Sequence, residues 1–385
     1  MITHSIVLAG LAIASLAAFA QPRTRQHSFG PGVCGPIDAA YVRTATETGG
    51  QPFPMSPSEI AKMGVIMAES SRSDATMILW AGGTADDGKD PFLIPVDASV
   101  KRLTVSITFD GQGGRAEIAR PDGTVIQPGA TPDDMVLNCG RVIGIDGPAP
   151  GSWRVTATPS ARFWMVVHAR SDRDLLSTEF VRVAGRPGHE GLFPISGLPI
   201  AGQPATLRVE LSEPDPQKPR FVLFSSQGRV IQPLDLDRVS DDEYVGAVAL
   251  PHVPFRVGIE GGADGGRYQR VDRRLFRAES VEVVAGDLTE LKAGRDAPVP
   301  FTIRNHGGRA RYQITALAGA EILKRIEPAT ADIPAKDDAR IVVWVPARTI
   351  AAAGTSLELL VVAANDAAAE PSSNSALQRF TIVKN

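Results

Sequence analysis

Gly123-Thr-Val-Ile-Gln-Pro128 returns later in the chain as Gly228-Arg-Val-Ile-Gln-Pro233, so Val-Ile-Gln-Pro recurs at an offset of 105 residues. Each copy follows a turn, Pro-Asp-Gly in the first and Ser-Gln-Gly in the second. Each copy ends at a proline, which has no amide hydrogen to donate to a neighbouring strand. Because the offset is the length of one sandwich domain, the sequence predicts a duplicated β-domain in the middle of the chain.

The composition supports a chain of many short strands and turns. Of the 385 residues, 43% are hydrophobic and 6% are aromatic, with 37 glycines and 30 prolines. These values are typical of a chain of many short strands and turns. Together with the repeated segment, they predict a mainly β protein of tandem β-sandwiches. The net charge of -3 gives no strong field that would favour nucleic acid or an anionic membrane surface.

The first twenty residues have the pattern of a secretory signal peptide. An apolar run at 6–19 leads into Ala18-Phe19-Ala20, a small-x-small cleavage pattern, and Gln21 and Pro22 follow. A membrane anchor is the alternative, although the run is short for a transmembrane span. The sequence therefore predicts a signal peptide at 1–20, a flexible leader at 21–36, and export to the periplasm or the extracellular space.

The chain contains two cysteines, Cys34 and Cys139. In an exported protein an even pair indicates a disulfide, and two buried thiols are the alternative. Neither cysteine lies in a Cys-x-x-Cys motif, so the sequence does not predict thiol chemistry.

A capped helix is predicted shortly after the leader. Ser56-Pro-Ser-Glu59 is a capping box with proline at the first helical position. Ile60, Met63 and Met67 then fall at helical spacing. Because one short amphipathic helix cannot bury its apolar face alone, we expect this face to dock on the first sandwich.

Three stretches resemble segments of a known family. Ala-Thr-Glu-Thr-Gly-Gly-Gln at 45–51, a strand through Phe53 and the capped helix resemble the last part of a von Willebrand factor A domain, as found in hemicentin-like extracellular proteins. Pro-Gly-Ser-Trp-Arg-Val at 150–155 and the stretch 255–270 are similar to segments that follow the A domain in that family. The resemblance covers about half of the chain. It implies that residues 37–75 are the remnant of such a domain.

The family's metal site is not implied by this resemblance. It requires an Asp-x-Ser-x-Ser signature on a first strand, which this sequence does not contain. The sequence therefore predicts neither a metal nor a cofactor.

Three sandwiches are predicted after the remnant: sandwich 1 at 76–185, sandwich 2 at 186–278 as its repeat, and an immunoglobulin-like sandwich 3 at 279–385. The third resembles a generic immunoglobulin-type domain in its stretches 299–308, 339–346 and 356–365, with an Asn-x-Gly corner at Asn305. The clearest half-buried strand runs from Leu103 to Phe109, where apolar residues alternate with Thr104, Ser106 and Thr108. Within sandwich 1 the other predicted strands lie at 76–81, 117–120, 124–127, 141–145, 152–158, 162–169 and 178–183.

Several groups of residues are candidate sites, each with a structural alternative. Six scattered histidines lack the spacing of a metal-ligand pair, and the acidic clusters lack EF-hand spacing and are interpreted as solvated loops. The glycine-rich segment 261–266 is predicted to be a hairpin turn. Four tryptophans are predicted to pack in cores, with an exposed sugar-stacking platform as the alternative. They are Trp80, Trp153, Trp164 and Trp344.

A basic group surrounds one predicted strand and its exit: Arg162, His168, Arg170 and Arg173. We expect these residues to form a solvated sheet edge that discourages aggregation.

The sequence predicts no complete catalytic constellation. The leading hypothesis is an exported, non-enzymatic adhesion or scaffold protein that recognises a protein or cell-surface partner through its sandwiches. An accessory carbohydrate-binding protein is the alternative, and an exposed aromatic surface would distinguish it. An enzyme is a third possibility, and it would require distant acids and histidines to converge in one pocket.

Overall fold

The structure is a computed structural model that describes residues 34–70, 75–84, 87, 90–158, 162–186, 188–213, 218–263, 266–365 and 371–384. It confirms the predicted fold class, because the chain is mainly β and its strands form facing sheets. The predicted signal peptide and most of the predicted leader lie outside the described residues. Three apolar cores follow one another along the chain, one for each sandwich.

Sandwich 1 packs a five-stranded sheet of order β1-β8-β3-β6-β5 against a three-stranded sheet of order β2-β7-β4. Its strands are β1 (Ala75–Thr84), β2 (Phe92–Val96), β3 (Arg102–Asp110), β4 (Arg115–Ala119), β5 (Asp134–Leu137), β6 (Gly140–Asp146), β7 (Gly151–Thr158) and β8 (Arg162–Arg170). Ile107, Phe109 and Trp153 are fully or almost fully buried between the two sheets.

Sandwich 2 pairs a sheet of order β10-β9-β11-β15-β14 with one of order β13-β12-β16-β17. Its strands are β9 (Leu175–Arg186), β10 (His189–Pro194), β11 (Pro204–Leu211), β12 (Arg220–Ser225), β13 (Val230–Leu234), β14 (Asp237–Arg238), β15 (Glu243–Ala249), β16 (Phe255–Ala263) and β17 (Gly266–Val271). The predicted hairpin at the glycine-rich segment is confirmed, because β16 and β17 pair antiparallel up to Ala263 and Gly266.

The boundary between these two sandwiches differs from the sequence prediction. The stretch 178–183 was predicted to be the last strand of sandwich 1, but it belongs to β9, which pairs with β11 of sandwich 2. In sandwich 1 the corresponding place beside β3 is taken by β8. The prediction was wrong because a strand's pattern does not show which of two adjacent sheets has a vacant edge.

The repeated tetrapeptides lie at equivalent places in the two sandwiches. In sandwich 1 the amide of Arg120 donates to the carbonyl of Thr124 at 2.9 Å, and in sandwich 2 Ser225 donates to Arg229 at 2.8 Å. The next chain contacts also correspond, since Val125 bridges to Ala119 and Val230 pairs with Phe224. The two copies of the repeat therefore share the same turn hydrogen bond, and its donor and its acceptor each recur 105 residues later.

The two copies differ beyond the turn. Val230–Leu234 forms a strand, whereas the predicted strand 124–127 makes only an isolated bridge, and Ile126 turns into the core. In the second copy Gly228 lies against β1 of sandwich 1, where a Cβ would come within 2.8 Å of the Ala81 side chain. Only glycine fits this contact without a shift, so the repeated turn also holds the two sandwiches together.

Sandwich 3 has sheets of order β18-β20-β25-β23 and β19-β27-β26-β21-β22, and β24 also pairs with β21. Its strands are β18 (Val281–Ala285), β19 (Glu290–Lys292), β20 (Ala297–Asn305), β21 (Ala310–Ala318), β22 (Glu321–Leu323), β23 (Ile326–Glu327), β24 (Thr330–Ile333), β25 (Asp338–Val345), β26 (Ser356–Asn365) and β27 (Ser372–Val383). At the predicted Asn-x-Gly corner, the buried Asn305 amide donates to three carbonyls and accepts from Tyr312.

Sandwiches 1 and 2 share a buried interface. Trp80 and Trp164 of sandwich 1 pack against Val222, Phe224 and Val271 of sandwich 2 in a separate apolar cluster. This arrangement uses the outer face of each sheet, so neither sheet has a solvent-facing side there.

A buried arginine crosses the same interface. Arg270 on β17 donates to Asp97 at 2.8 Å and to Ser171 at 2.9 Å, and both partners belong to the first sandwich or its exit. Burial raises the pKa of Asp97, whereas the Arg270 charge and the hydrogen bonds to the carboxylate lower it. The lowering effects are larger together, so the pKa of Asp97 lies below its ordinary value.

Sandwiches 2 and 3 are joined by hydrogen bonds across their junction. Asn374 accepts from the amide of Leu198 at 2.8 Å and donates to the Leu198 carbonyl at 2.9 Å, and Glu279 donates its amide to the Pro199 carbonyl at 2.9 Å. The three sandwiches therefore contact one another in sequence.

Residues 34–70 form a separate layer, here called the N-terminal cover. It lies on sandwich 1 and also contacts sandwich 2, where Arg256 donates to the Thr46 carbonyl at 2.8 Å. It contains α1 (Ala39–Glu47), a short 3-10 turn (Pro57–Glu59) and α2 (Ile60–Ser70). The strand predicted through Phe53 is not present, because this segment has no neighbouring strand to pair with and runs as irregular chain across the outer face of sandwich 1.

Candidate functional site

The N-terminal cover is covalently attached to sandwich 1. Cys34 and Cys139 form the predicted disulfide, with a Cα–Cα distance of 5.6 Å. Both residues are buried. The bond links the first described residue of the cover to the turn that precedes β6.

The predicted capping box makes a second attachment. Its Glu59 carboxylate accepts from the amides of Ser56 at 3.0 Å and Asn138 at 2.7 Å, and Asn138 also donates to the Ser56 hydroxyl. Burial disfavours the charged carboxylate, but these donors outweigh it, and the pKa of Glu59 lies below its ordinary value. The signal that starts the helix therefore also docks it on the sandwich.

The polar side of β3 lies under the cover. Thr108 donates to the Pro52 carbonyl at 2.7 Å and accepts from the Gln51 side chain at 3.3 Å. Thr104, Ser106 and Thr108 are all buried, so the prediction of a half-exposed strand was wrong. Alternation correctly separates the two faces, but it does not reveal that a second layer covers the polar one.

Helix α2 docks, as predicted, but not through the predicted face. Ile60 and Met67 are each 59% exposed and Met63 is 43% exposed, whereas Ile66 is only 4% exposed and packs with Leu137 and Val142. The helix is apolar on nearly every side, so its sequence does not determine which side faces the sandwich.

A groove of about 380 Å³ lies between the cover and the five-stranded sheet of sandwich 1. Its volume is within the range of small-molecule pockets, roughly 300–1,000 Å³. Apolar side chains from both layers form its walls: Tyr41, Phe53, Met55, Met63, Ile66, Met67, Val142 and Val166. Thioether side chains adapt easily to ligands of different shape, so these walls are suited to binding.

Polar groups that lack partners lie at the base of the groove. Among the described residues, neither the Gln51 Oε1 atom nor the Ser106 hydroxyl has a hydrogen-bond partner, although each residue is only 7% exposed. His168 also lines the groove. Burial, and to a lesser degree the Arg273 charge, lower the pKa of His168 to about 4, so its imidazole is neutral at pH 7.

The other basic residues singled out from the sequence do not form a sheet edge. They belong to β8 and its exit, and β8 lies between β1 and β3. Arg162 pairs with Asp110 at 2.5 Å, while Arg173 stacks over the Tyr268 ring at 4.3 Å. The prediction was wrong because β8 pairs with a strand on each side, β1 and β3, and therefore lies in the interior of the sheet.

Core packing of the tryptophans is confirmed for three of the four. Trp80, Trp153 and Trp164 are buried, whereas Trp344 is half-buried beneath the Arg325 guanidinium, 3.8 Å from the ring centroid. The interpretation of the acidic clusters as solvated loops is wrong for Asp134 of the pair Asp133-Asp134, because Asp134 forms a buried ion pair with Arg141 at 2.7 Å. Across the described ranges, no three acidic, histidine or cysteine side chains are grouped as metal ligands would be.

Sequence reasoning did not identify Gln51 and Ser106 as site residues. In the sequence, Gln51 belongs to the family-like stretch 45–51 and Ser106 to the alternating strand 103–109, and neither pattern indicates a site. Two sequence features together indicate such a site. One strand has a face of serine and threonine, and a short apolar helix earlier in the chain needs a surface to pack on.

Comparisons with known proteins identify no family. No family model matches the chain, and no curated protein matches it at a significant level. A DUF4785 family protein from Legionella pneumophila is 8% identical over 81% of this chain and 90% of its own, with a TM-score of 0.38. The lipase BlEst2 of Bacillus licheniformis, in its propeptide form, is 14% identical over 51% of this chain and 40% of its own, with a TM-score of 0.25.

A tetra-tandem repeat from the extending region of a large adhesion protein is 12% identical over 78% of this chain and 73% of its own, with a TM-score of 0.19. Similarities this low carry no argument about function. In the described part of the chain, no helix is long and apolar enough to cross a bilayer.

Proposed function

We propose that this chain is an exported, non-enzymatic adhesion or scaffold protein that binds a protein partner, and that the partner packs on the outward face of α2. The observation that carries the proposal is the composition of that face. Ile60 and Val65 are 59% and 54% exposed, and Ala61, Gly64 and Ala68 lie between them at helical spacing. A helix face in contact with water normally carries charged residues, and none of the five residues named here, all of them described by the structure, is charged.

The one lysine of α2 does not serve this face. Lys62 donates to the Val136 carbonyl at 2.9 Å, so its side chain is directed down to sandwich 1. The apolar surface of the helix is therefore continuous on the outward side.

Gly64 gives the partner surface its shape. A Cβ at this position would meet nothing within 4 Å, so packing within this chain does not require a glycine. Glycine in a helix interior costs about 1 kcal/mol relative to alanine. A glycine allows another backbone to approach closely, and we infer that the partner lays an apolar helix or strand across this position.

The remainder of the molecule suits a scaffold. Sandwiches 1 and 2 share an apolar interface and the Arg270 to Asp97 ion pair, and sandwich 3 is joined to sandwich 2 by the Asn374 hydrogen bonds. Such junctions restrict the relative motion of the sandwiches, so the α2 face is presented on a stiff support.

Export is supported by the N-terminal sequence and the disulfide. The apolar run at 6–19 has the pattern of a signal peptide, and the Cys34–Cys139 bond requires an oxidising compartment to form and persist. We also propose that the cover is the remnant of a von Willebrand factor A domain of a hemicentin-like protein. The succession of a short helix, an extended segment and a capped helix supports that proposal.

The carbohydrate-binding alternative required an exposed aromatic surface. Trp80, Trp153 and Trp164 pack in cores and in the interface of sandwiches 1 and 2, and the ring of the half-buried Trp344 is covered by the Arg325 guanidinium. Protein recognition is therefore the better supported of the two functions.

Cross-linking on intact cells, followed by pull-down, tests the proposal. Gly64→Leu places a bulky side chain in the centre of the proposed contact, and we expect it to abolish a cross-linked protein band. Gly308→Leu is the matched control, because Gly308 is also exposed and a Cβ there also meets nothing within 4 Å. Loss of the band in the Gly64 variant alone supports the proposal.

A band of equal intensity in both variants contradicts the proposal. Light scattering of the purified protein separates the remaining case. A mass of two chains that returns to one chain in Gly64→Leu would show that a second copy, and not a different protein, covers the helix.

A further inference from the structure

We propose that the groove beneath the N-terminal cover binds an uncharged amphiphile, with an apolar body among the methionines and one hydroxyl, amine or amide group at the base. This site is independent of the proposed protein contact. Met63, Ile66 and Met67 of α2 line the groove, and the proposed partner contacts a different set of residues, Ile60, Gly64 and Val65.

The unpartnered polar atoms determine the position of the ligand's polar group. A buried acceptor or donor without a partner is costly, and most such groups in proteins are satisfied by protein or by a bound molecule. Gln51 Oε1 can only accept, whereas the Ser106 hydroxyl can donate or accept. A ligand group that both donates and accepts would satisfy both atoms.

The hydrogen bond of Gln51 places its side chain beside Ser106 on one face of β3. Gln51 donates its amide to Thr108, and Ser106 is the next residue on the same face of β3. Successive positions on one strand face are about 7 Å apart, which a single polar group and its adjacent atoms can span.

The charges around the groove favour an uncharged ligand. Burial keeps the imidazole of His168 neutral at pH 7, so it offers no countercharge to a ligand. Arg273 is exposed, donates to the Ala75 carbonyl and interacts with the Asp174 carboxylate. Because this cation is already engaged, an anionic group at the base would have no buried counter-ion.

The walls determine the ligand body. They are formed mainly by Met55, Met63, Met67, Phe53 and Tyr41, which are flexible or flat side chains. Such a surface accepts a planar or linear apolar body without requiring one shape. The volume of about 380 Å³ is suited to a medium-sized molecule.

A fluorescence titration with 1-aminoanthracene tests the proposal, because this probe is an apolar plate with one amine. We expect saturable binding to the intact protein, and at least tenfold weaker binding of 1-methylanthracene, which has the same body without the polar group. Decan-1-ol should displace the probe at lower concentration than decanoate.

Two substitutions on α2 provide a matched pair. Met63→Trp fills the mouth of the groove, and Val65→Trp adds the same ring to the outward face; both positions are exposed, so neither ring must enter a core. We expect Met63→Trp to weaken probe binding at least tenfold and Val65→Trp to change it less than twofold. For the protein cross-link we expect Val65→Trp to have the larger effect and Met63→Trp the smaller one. The probe titration and the cross-link therefore test the two proposals separately.

Three results would overturn the inference: no saturable binding to the unsubstituted protein, equal binding by both tryptophan variants, or stronger displacement by decanoate than by decan-1-ol. The last result would assign the groove to an anionic ligand that uses Arg273.

Discussion

Acid should destabilise the protein through His168, and the size of the effect follows from its burial. His168 lies on β8 and its imidazole lines the groove, and burial lowers its pKa from 6.5 to about 4. Between these values the unfolded chain binds a proton that the folded chain does not. The free energy of unfolding is therefore highest above about pH 6.5 and falls as the pH decreases towards 4.

The magnitude follows from the difference between the two pKa values. Each unit corresponds to about 1.4 kcal/mol, so the full loss is about 3 kcal/mol, of which about 2 kcal/mol appears between pH 7 and pH 4.5. Carboxylates such as Asp97 and Glu59 also titrate in acid, and their contribution must be removed by comparison with a variant.

Urea unfolding at pH 7 and pH 4.5 measures the effect in the unsubstituted protein and in His168→Gln, which does not titrate there. At each pH the free energy of unfolding of the variant is subtracted from that of the unsubstituted protein. We expect this difference to be about 2 kcal/mol lower at pH 4.5 than at pH 7. His189→Gln, at an exposed position, is the control. A difference between His168→Gln and the unsubstituted protein that is the same at both pH values would refute the argument.

Three further outcomes are expected. Replacing Cys34 and Cys139 by alanine opens a loop of 105 residues and should lower the free energy of unfolding by about 4 to 5 kcal/mol on the entropic model, measured by urea titration; a loss below 1 kcal/mol would contradict it. Gly64→Ala should raise the melting temperature, since it adds about 1 kcal/mol of helix propensity without a clash; a decrease would show that glycine is needed within the chain. Arg270→Met leaves Asp97 buried and unpaired and should cost about 3 to 5 kcal/mol, whereas the combined Arg270→Met and Asp97→Asn variant should recover part of it by the same measurement.

Short-range features of this protein could be predicted from the sequence because neighbouring residues determine them. The turn before each Val-Ile-Gln-Pro depends on a glycine with positive φ, 89° at Gly123 and 73° at Gly228. The start of α2 depends on a capping box within four residues, and it forms as predicted. The cysteine pair was also predicted, because two cysteines allow only one intramolecular bond.

Several features that depend on distant contacts were not predicted. The assignment of β9 to sandwich 2 and the interior position of β8 depend on which sheet edges are vacant after folding. The buried side of α2 depends on the surface that receives Ile66, because the helix is apolar in almost every direction.

The groove illustrates the same limit. The sequence determined that β3 has an apolar face and a polar face, because side chains alternate along a strand. Only the tertiary structure decided that the polar face is covered by a second layer, which leaves Ser106 and Gln51 buried without partners. Alternation is a property of one strand, whereas burial of its second face depends on a segment more than fifty residues earlier in the chain that the Cys34–Cys139 bond holds in place.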